Sequence, residues 1–447
     1  MAKPTPLSGF PEYLPADRFL ELSVVDHLRR TFELHGFANL ETRAVEPMDQ
    51  LLRKGEIDKE VYVLRRLHAE EGEDAGLGLH FDLTVPFARY VLENQGKLEF
   101  PFRRYQIQKV WRGERPQQGR YREFTQADID IVGRDVLPFH FDVEVARVMA
   151  EALSGLPVPP MTLQVSNRRL LEGFYRGLGL TDPAAVMRVV DKLDKLPREG
   201  IVELLLKEGL DDDQAAKCLD LAQICTTDTS FVEQVRALGV EHELLDQGLA
   251  ELAQVIEGAA GVPGTVTVTA DLRIARGLDY YTGTVFETRM SGYDHLGSIC
   301  SGGRYDQLAS DGRSTYPGVG ISLGVSRLLG PLVADGYTAD RSVPSAVLVA
   351  LFDEDRRAES SAVATALRAR GIACEVAPNA AKLGKQIRHA ERRGIPYVWF
   401  PPADDRGHSV KDIRSGDQVD ADPQSWTPPA ADLAPRIVTP DSKETTS

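Results

Sequence analysis

The stretch Ile107-Gln108-Lys109-Val110-Trp111-Arg112-Gly113-Glu114-Arg115-Pro116-Gln117-Gln118-Gly119-Arg120-Tyr121-Arg122-Glu123-Phe124-Thr125-Gln126-Ala127-Asp128-Ile129-Asp130-Ile131-Val132 carries the fold. Alternation through Trp111 reads as a strand, Pro116 to Gly119 as the turn that reverses it, and Tyr121 to Val132 as the return arm. Across such a hairpin Arg112 can face Phe124, Gln126 and Asp130. Between Phe102 and Arg122 there are seven basic residues and one acid, in a chain of net charge −15. A solvated basic hairpin accounts for that charge. It does not account for Gln126 and Asp130, which lie four apart on a strand face where alternation predicts core. A face lining a ligand accounts for both.

A second segment, Arg276-Gly277-Leu278-Asp279-Tyr280-Tyr281-Thr282-Gly283-Thr284-Val285-Phe286-Glu287, puts one cation and two phenols just ahead of a β-type run. A guanidinium binds phosphate or carboxylate through two points. Paired tyrosines give a small ring-bearing substrate a flat wall and polar tips. Alone, the segment also fits an edge strand with a surface arginine.

Together the two segments resemble a class II aminoacyl-tRNA synthetase, specifically the histidyl-tRNA synthetase family. Arg112-x-Glu114 with Phe124 is similar to the second class signature, and Pro317 to Arg327 to the third. Arg276 to Glu287 and Ser301-Gly302-Gly303-Arg304-Tyr305-Asp306 resemble the two stretches that set the histidyl enzymes apart. His80 to Pro86 resembles their turn for the amino group. The resemblance runs from about residue 8 to 420. It implies an α+β fold, in which a class II antiparallel-sheet catalytic domain with a helical insertion precedes a C-terminal α/β anticodon-binding domain.

The domain reading is residues 1–330 catalytic with the insertion at about 168–260, a linker at 331–343, an α/β domain at 344–422 and a disordered tail at 423–447. The insertion is rich in Ala, Leu, Glu and Asp. The C-terminal part alternates strands with helix-length crossovers, which predicts parallel pairing. In the tail, proline and small polar residues dominate. Residues 17–35 have helical spacing ending at Gly36, and Phe37 to Glu46 reads as a strand. In the family this pair is the first signature and forms a homodimer interface, but here Arg43 replaces the usual proline and Pro47 follows later.

Composition narrows the class further. The acidic balance excludes a general nucleic-acid coat and leaves local basic patches as the route to RNA. Four cysteines without a CxxC pair and nine histidines without HExxH spacing predict neither a disulfide framework nor a protein-held metal. The amino terminus lacks an apolar signal core, and no run reaches the length of a membrane span, so the cytosol is the expected compartment.

The resemblance implies activation of L-histidine by ATP to histidyl-adenylate and pyrophosphate, then transfer to the 3′ end of tRNA(His). Arg112 and Arg276 would be catalytic, neutralising the α-phosphate and histidine carboxylate. Glu114, Phe124 and Arg327 would join Arg112 in holding ATP, with Mg2+ on the β- and γ-phosphates. Asp82, Leu83, Thr84 and Gln126 would receive the α-ammonium end. Asp130 and Tyr281 would read the imidazole between Tyr280 and Tyr305. The glycines at 318, 320 and 324 lack the spacing of a dinucleotide fingerprint and read as places of close helix–strand approach. Lys382, Lys385 and Arg388, on a predicted helix at 381–393 that also carries Arg392 and Arg393, form a basic face for tRNA; the same cluster fits an ordinary solvated face. Three readings compete: a regulatory paralogue of the family, which typically lacks the Arg276 segment and the C-terminal domain that are both present here; another class II synthetase, for example for proline or threonine, against which Asp130 and Tyr281 argue; and a translation-coupled sensor with a synthetase-like domain, which would need an attached kinase.

Overall fold

The computed structural model describes residues 4–52, 60–68, 76–194, 196–275, 280–307, 309–403 and 406–440. It divides into two compact units, Met1–Pro11 with Val24–Pro331 and Glu12–Ser23 with Leu332–Ser447.

The first unit is built on a nine-stranded sheet. Its strands in chain order are β1 (Ala38–Asn39), β2 (Phe102–Trp111), β3 (Glu123–Val132), β4 (Met161–Asn167), β5 (Cys225–Thr226), β6 (Val266–Asp271), β7 (Thr284–Met290), β8 (Cys300–Tyr305) and β9 (Gly318–Gly324). They are arranged β1-β2-β3-β9-β8-β7-β4-β6-β5. Every neighbouring pair is antiparallel except β1/β2 and β4/β6. The hairpin β2/β3 pairs Val110 with Phe124, Gln108 with Gln126 and Arg104 with Asp130. Its turn closes where Gln117 and Arg120 exchange backbone hydrogen bonds of 3.1 and 2.8 Å, and Gly119 there has φ +71°, a left-handed conformation in which glycine carries no Cβ penalty.

Helix α1 (Pro15–Leu34) precedes β1, α2 (Thr84–Asn94) precedes β2, and α3 (His140–Ser154) follows β3. The apolar stripe of α3, with Val145, Val148, Met149 and Leu153, is fully buried, which is what fixes such a helix on a sheet face. Between β4 and β6 the chain forms six helices with a short strand among them, from α4 (Arg168–Gly177) to α5 (Glu243–Ala259). α4 is capped by Asn167, whose side chain accepts from Arg169 and Leu170 N–H. α5 crosses α4 where glycines remove the obstruction: a Cβ on Gly248 would lie 2.2 Å from the Leu170 backbone nitrogen, and one on Gly173 2.2 Å from that of Leu245.

The expected strand from Phe37 to Glu46 is two short pieces. Ala38–Asn39 joins β2 in parallel, while Val45–Pro47 belongs to a separate three-stranded sheet with 77–79 and 63–64. Between them, side chains replace the ladder, Gln106 donating to Thr42 Oγ1 and Gln108 to the Thr42 carbonyl, both at 3.0 Å. Arg43 pairs with the buried Glu46 at 3.2 Å.

In the second unit β10 (Val347–Val349), β11 (Cys374–Val376) and β12 (Tyr397–Phe400) pair in parallel, and β13 (Ser409–Asp412) and β14 (Gln418–Asp420) extend the sheet antiparallel, in the order β11-β10-β12-β13-β14. Helices α6 (Arg357–Ala369) and α7 (Leu383–Arg393) are the crossovers.

The segment from residue 423, expected to be disordered, is packed as far as residue 440. Trp426 lies against the core with its ring 5.3 Å from Tyr397 and 5.6 Å from Trp399, and Arg370 donates to the carbonyls of Ser425 and Trp426 at 2.9 and 2.6 Å. Asp432 is buried and takes hydrogen bonds from Tyr397 and Arg414, both at 2.8 Å. Trp426, the bonds from Arg370, the ion pairs of Asp432 and Arg436 and the pairing of Ile437–Val438 with Thr338–Ala339 therefore order a stretch whose composition predicts none.

Candidate functional site

Two adjoining cavities open on the sheet of the first unit. The larger, about 690 Å³, is lined by Arg112, Glu114, Phe124 and Arg327 together with Tyr121, Glu287, Arg289 and the segment 294–299. The smaller, about 80 Å³, is lined by Asp82, Thr84, Gln126, Asp128, Asp130, Tyr305 and the glycines 302, 303 and 320. Arg112, Gln126, Tyr280, Tyr281, Ser301 and Ser322 line both.

Arg112 leaves the sheet immediately after β2, where its N–H bonds the Arg122 carbonyl at 2.9 Å. Its guanidinium lies between two rings, 4.3 Å from the Phe81 centroid and 5.0 Å from Phe124, and its Nε donates to the Phe81 carbonyl at 3.2 Å. Cation–π contact and a hydrogen bond fix the fork at the junction of the cavities. Glu114 stands 3.5 Å from Arg120. Arg327, two residues into its helix, donates to the Leu296 carbonyl.

In the inner pocket the aspartates are buried. Asp82 Oδ1 accepts from the Val85 N–H at 3.0 Å, so it satisfies an N–H in the first turn of α2 and lines the pocket at once. Asp130 accepts from the Tyr305 hydroxyl at 2.7 Å and pairs with Arg104 at 2.6 Å. The rings of Tyr280 and Tyr281 meet with centroids 4.1 Å apart, tilted by 42°. Burial, with Tyr280 close by, holds the Tyr281 phenol well above its ordinary range, and burial with Asp130 does the same to Tyr305. Both are therefore protonated at neutral pH, able to donate as well as accept.

Of the glycines of the third signature, Gly318 and Gly320 make room for pocket side chains, whereas Gly324 faces Arg327 of the following helix, where an added Cβ would lie 3.1 Å from that of Arg327. A Cβ on Gly320 would stand 2.1 Å from Asp130 Oδ1, one on Gly318 2.4 Å from the Tyr305 ring, and one on Gly303 2.8 Å from Tyr281. Each missing side chain is space occupied by a side chain of a neighbouring strand or loop.

Leu83 is fully buried and lines neither cavity. Its carbonyl accepts from Arg104 at 3.4 Å. Arg276 lies outside the described residues. Lys382, Lys385 and Arg388 stand exposed from the N-cap of α7 into its second turn, whereas Arg393 is drawn off to Glu375 at 2.6 Å.

Sequence reasoning misses Asp128, Arg104, Glu287 and Arg289. Asp128 shares the alternation of Gln126 and Asp130, and that signal could have found it. Arg104 reads as one more surface basic residue, because composition does not tell which side of a strand a charge faces.

The sequence model of histidyl-tRNA synthetase matches residues 9–328, and that of an anticodon binding domain residues 346–419. The chain is 60% identical to a histidine–tRNA ligase of Cutibacterium acnes, covering 98% of this chain and 99% of the relative. It is 58% identical to that of Micrococcus luteus over the same shares. Among solved structures it is similar to histidyl-tRNA synthetase from Nostoc sp. PCC 7120, with 33% identity, a TM-score of 0.84 and coverage of 100% of this chain and 99% of that one. It shares its fold with an ATP phosphoribosyltransferase regulatory subunit/histidyl-tRNA synthetase from Bacillus halodurans, at 22% identity and a TM-score of 0.70, covering 84% and 93%. Matched almost end to end at such identity, with the signature residues gathered around one cleft, the chain belongs to the histidyl-tRNA synthetase family.

Proposed function

We propose that the two cavities are the ATP and histidine sites of a chain that charges tRNA(His) with histidine. The first step is electrostatically difficult, because a carboxylate must approach a polyanion. A histidine carboxylate oxygen bonds to the α-phosphorus, the bond from that phosphorus to the bridging oxygen breaks, and pyrophosphate leaves with the electron pair. Arg112 bridges carboxylate and α-phosphate, and Arg276 holds the α-phosphate from the other side. Glu114 accepts from the adenine amino group, while Phe124 and Arg327 enclose the ring. Asp82, Thr84 and Gln126 take the α-ammonium, and Asp130 and Tyr281 take the imidazole between Tyr280 and Tyr305. A pocket that hydrogen-bonds both ring nitrogens rejects apolar isosteres by about 10⁴ or more. In the second step a ribose hydroxyl at the tRNA 3′ end attacks the adenylate carbonyl carbon, and AMP leaves. Lys382, Lys385 and Arg388 bind the tRNA.

ATP enters as its magnesium complex. Among the described residues no group of three or more His, Cys, Asp or Glu could hold a metal. As part of the substrate, the ion would be carried on phosphate and water oxygens. A homodimer in the cytosol completes the reading.

The observation that carries it is Arg112, fixed by two aromatic rings while lining both cavities. The test is ATP–pyrophosphate exchange with each of the twenty amino acids. Exchange is expected with histidine alone; exchange driven equally by another amino acid, or by none, would overturn the assignment.

A further inference from the structure

We infer that Arg104 is a positioning residue for histidine recognition, holding Asp130 in the place and charge state that accept a neutral imidazole. The inference rests on the reading of the inner pocket as the histidine site.

Arg104 is wholly buried on β2. Its Nη2 lies 2.6 Å from Asp130 and 3.8 Å from Asp128. Tyr305 holds the other Asp130 oxygen at 2.7 Å, so the carboxylate is gripped from both sides. The guanidinium also lies 4.3 Å over the Phe87 ring of α2 and donates to the Leu83 carbonyl at 3.4 Å. It thereby ties the wall that carries Asp130 to the turn that supplies Asp82. Behind it, Gln106 lies 3.4 Å away and donates in turn to Thr42 and Gln108 at 3.0 and 2.7 Å, a polar chain that anchors the arginine from the sheet side.

The charge state follows from the neighbours. Asp130 is faced by Arg104 from β2, by Asp128 on its own strand, by Tyr305 from β8 and by Tyr280 and Tyr281 ahead of β7; Asp82 and Arg112 line the same pocket. A buried carboxylate without a cation takes up a proton, and one of its oxygens becomes a donor. Paired with Arg104 it stays ionised, yet its charge is already matched. Such a group accepts the N–H of a neutral imidazole without calling for an imidazolium. Asp128, which accepts from Gln126 at 3.1 Å, shares the same arginine. Removing Arg104 would leave two buried carboxylates facing the ligand ring.

The test is pyrophosphate exchange by the full chain with Arg104→Met, Arg104→Lys and Asp130→Ala, measured from about one pH unit below to one above the ordinary imidazole value of about 6.5. Arg104→Met is expected to raise the KM for histidine about 10- to 100-fold while leaving the KM for ATP unchanged, and Arg104→Lys to recover part of that loss. The parent's KM for histidine is expected to fall as pH rises through this range. In Arg104→Met the trend should flatten or reverse, because without its cation Asp130 binds the ligand together with a proton, held on the carboxyl or on the ring. If Arg104→Met fails to fold, Arg104→Lys carries the test through the same split between the two KM values. Equal losses for ATP and histidine, or an unchanged pH trend, would overturn the role. If Asp130→Ala also leaves the KM for histidine untouched, the fault lies in the assignment of the pocket; if only the Arg104 variants do so, it lies in this inference.

Discussion

At the scale of the residue, the pocket works by omission as much as by contact. Gly320 opposes Asp130 across the β3/β9 ladder, and a Cβ there would stand 2.1 Å from the carboxylate. Gly320→Ala should therefore displace Asp130 and impair histidine use as Asp130→Ala does, with ATP affinity kept; steady-state kinetics with each substrate varied would show it, and equal losses would mark the glycine as merely structural. For the chemical step, Arg276→Ala should lower activation turnover about 10² to 10³-fold in a folded protein, read by pyrophosphate exchange; near-normal turnover would remove Arg276 from the mechanism. What is legible at this scale is polarity out of place. Gln126 and Asp130 interrupt a strand alternation, and Tyr280 and Tyr281 precede one. Arg104 is not legible, because a basic residue on a strand reads as solvated until its partner on the next strand is known.

At the scale of the element, buried polar groups bind α3 to the sheet. Asp142 of α3 accepts from Thr284 on β7 at 2.6 Å and lies 3.4 Å from Arg304 on β8. Burial pushes its carboxyl from the ordinary 3.8 up to about 6, although Arg304 opposes the shift. A carboxyl with a higher value in the native than in the unfolded chain binds more protons in the native state, so it stabilises the fold below about pH 4 and that contribution is lost as pH rises through about 6. The full swing is about 3 kcal/mol. The stability of the parent relative to Asp142→Asn should decline between pH 4 and 7, measured from denaturant midpoints at matched pH; a constant difference would mean that Arg304 keeps Asp142 ionised throughout. Helices and crossover strands are legible because their periodicity is local. The segment Phe37 to Glu46 reads as one strand and is not, because its middle follows β2 through the side chains of Gln106 and Gln108, a substitution for backbone pairing that leaves no periodic trace. The segment from 423 reads as disordered because its order depends on Trp426 and Asp432 finding partners far back in the chain.

At the scale of the whole molecule, the groups assigned to adenylate formation belong to the first compact unit and the basic helix α7 to the second. This division gives a prediction that neither unit gives alone. The exposed charges of α7 and its N-cap include Lys382, Lys385, Arg388 and Arg392, whereas Arg393 is committed to Glu375. Gln386 and Ala390 are its buried positions, so neutralising the exposed face removes charge without touching the packing that holds the helix. The triple variant Lys382→Gln, Lys385→Gln, Arg388→Gln should raise the KM for tRNA and leave histidine-dependent pyrophosphate exchange unaltered. The salt dependence of tRNA binding should also become shallower, by about 0.7 to 0.9 in the log–log slope for each phosphate that the variant no longer neutralises. Charging and exchange measured side by side at two salt concentrations separate the outcomes. Loss of charging alone, with a shallower salt slope, is what an electrostatic grip on RNA separate from the adenylate site produces. Parallel loss of exchange would show that these charges reach the adenylate site, and the division of labour between the two units would fall.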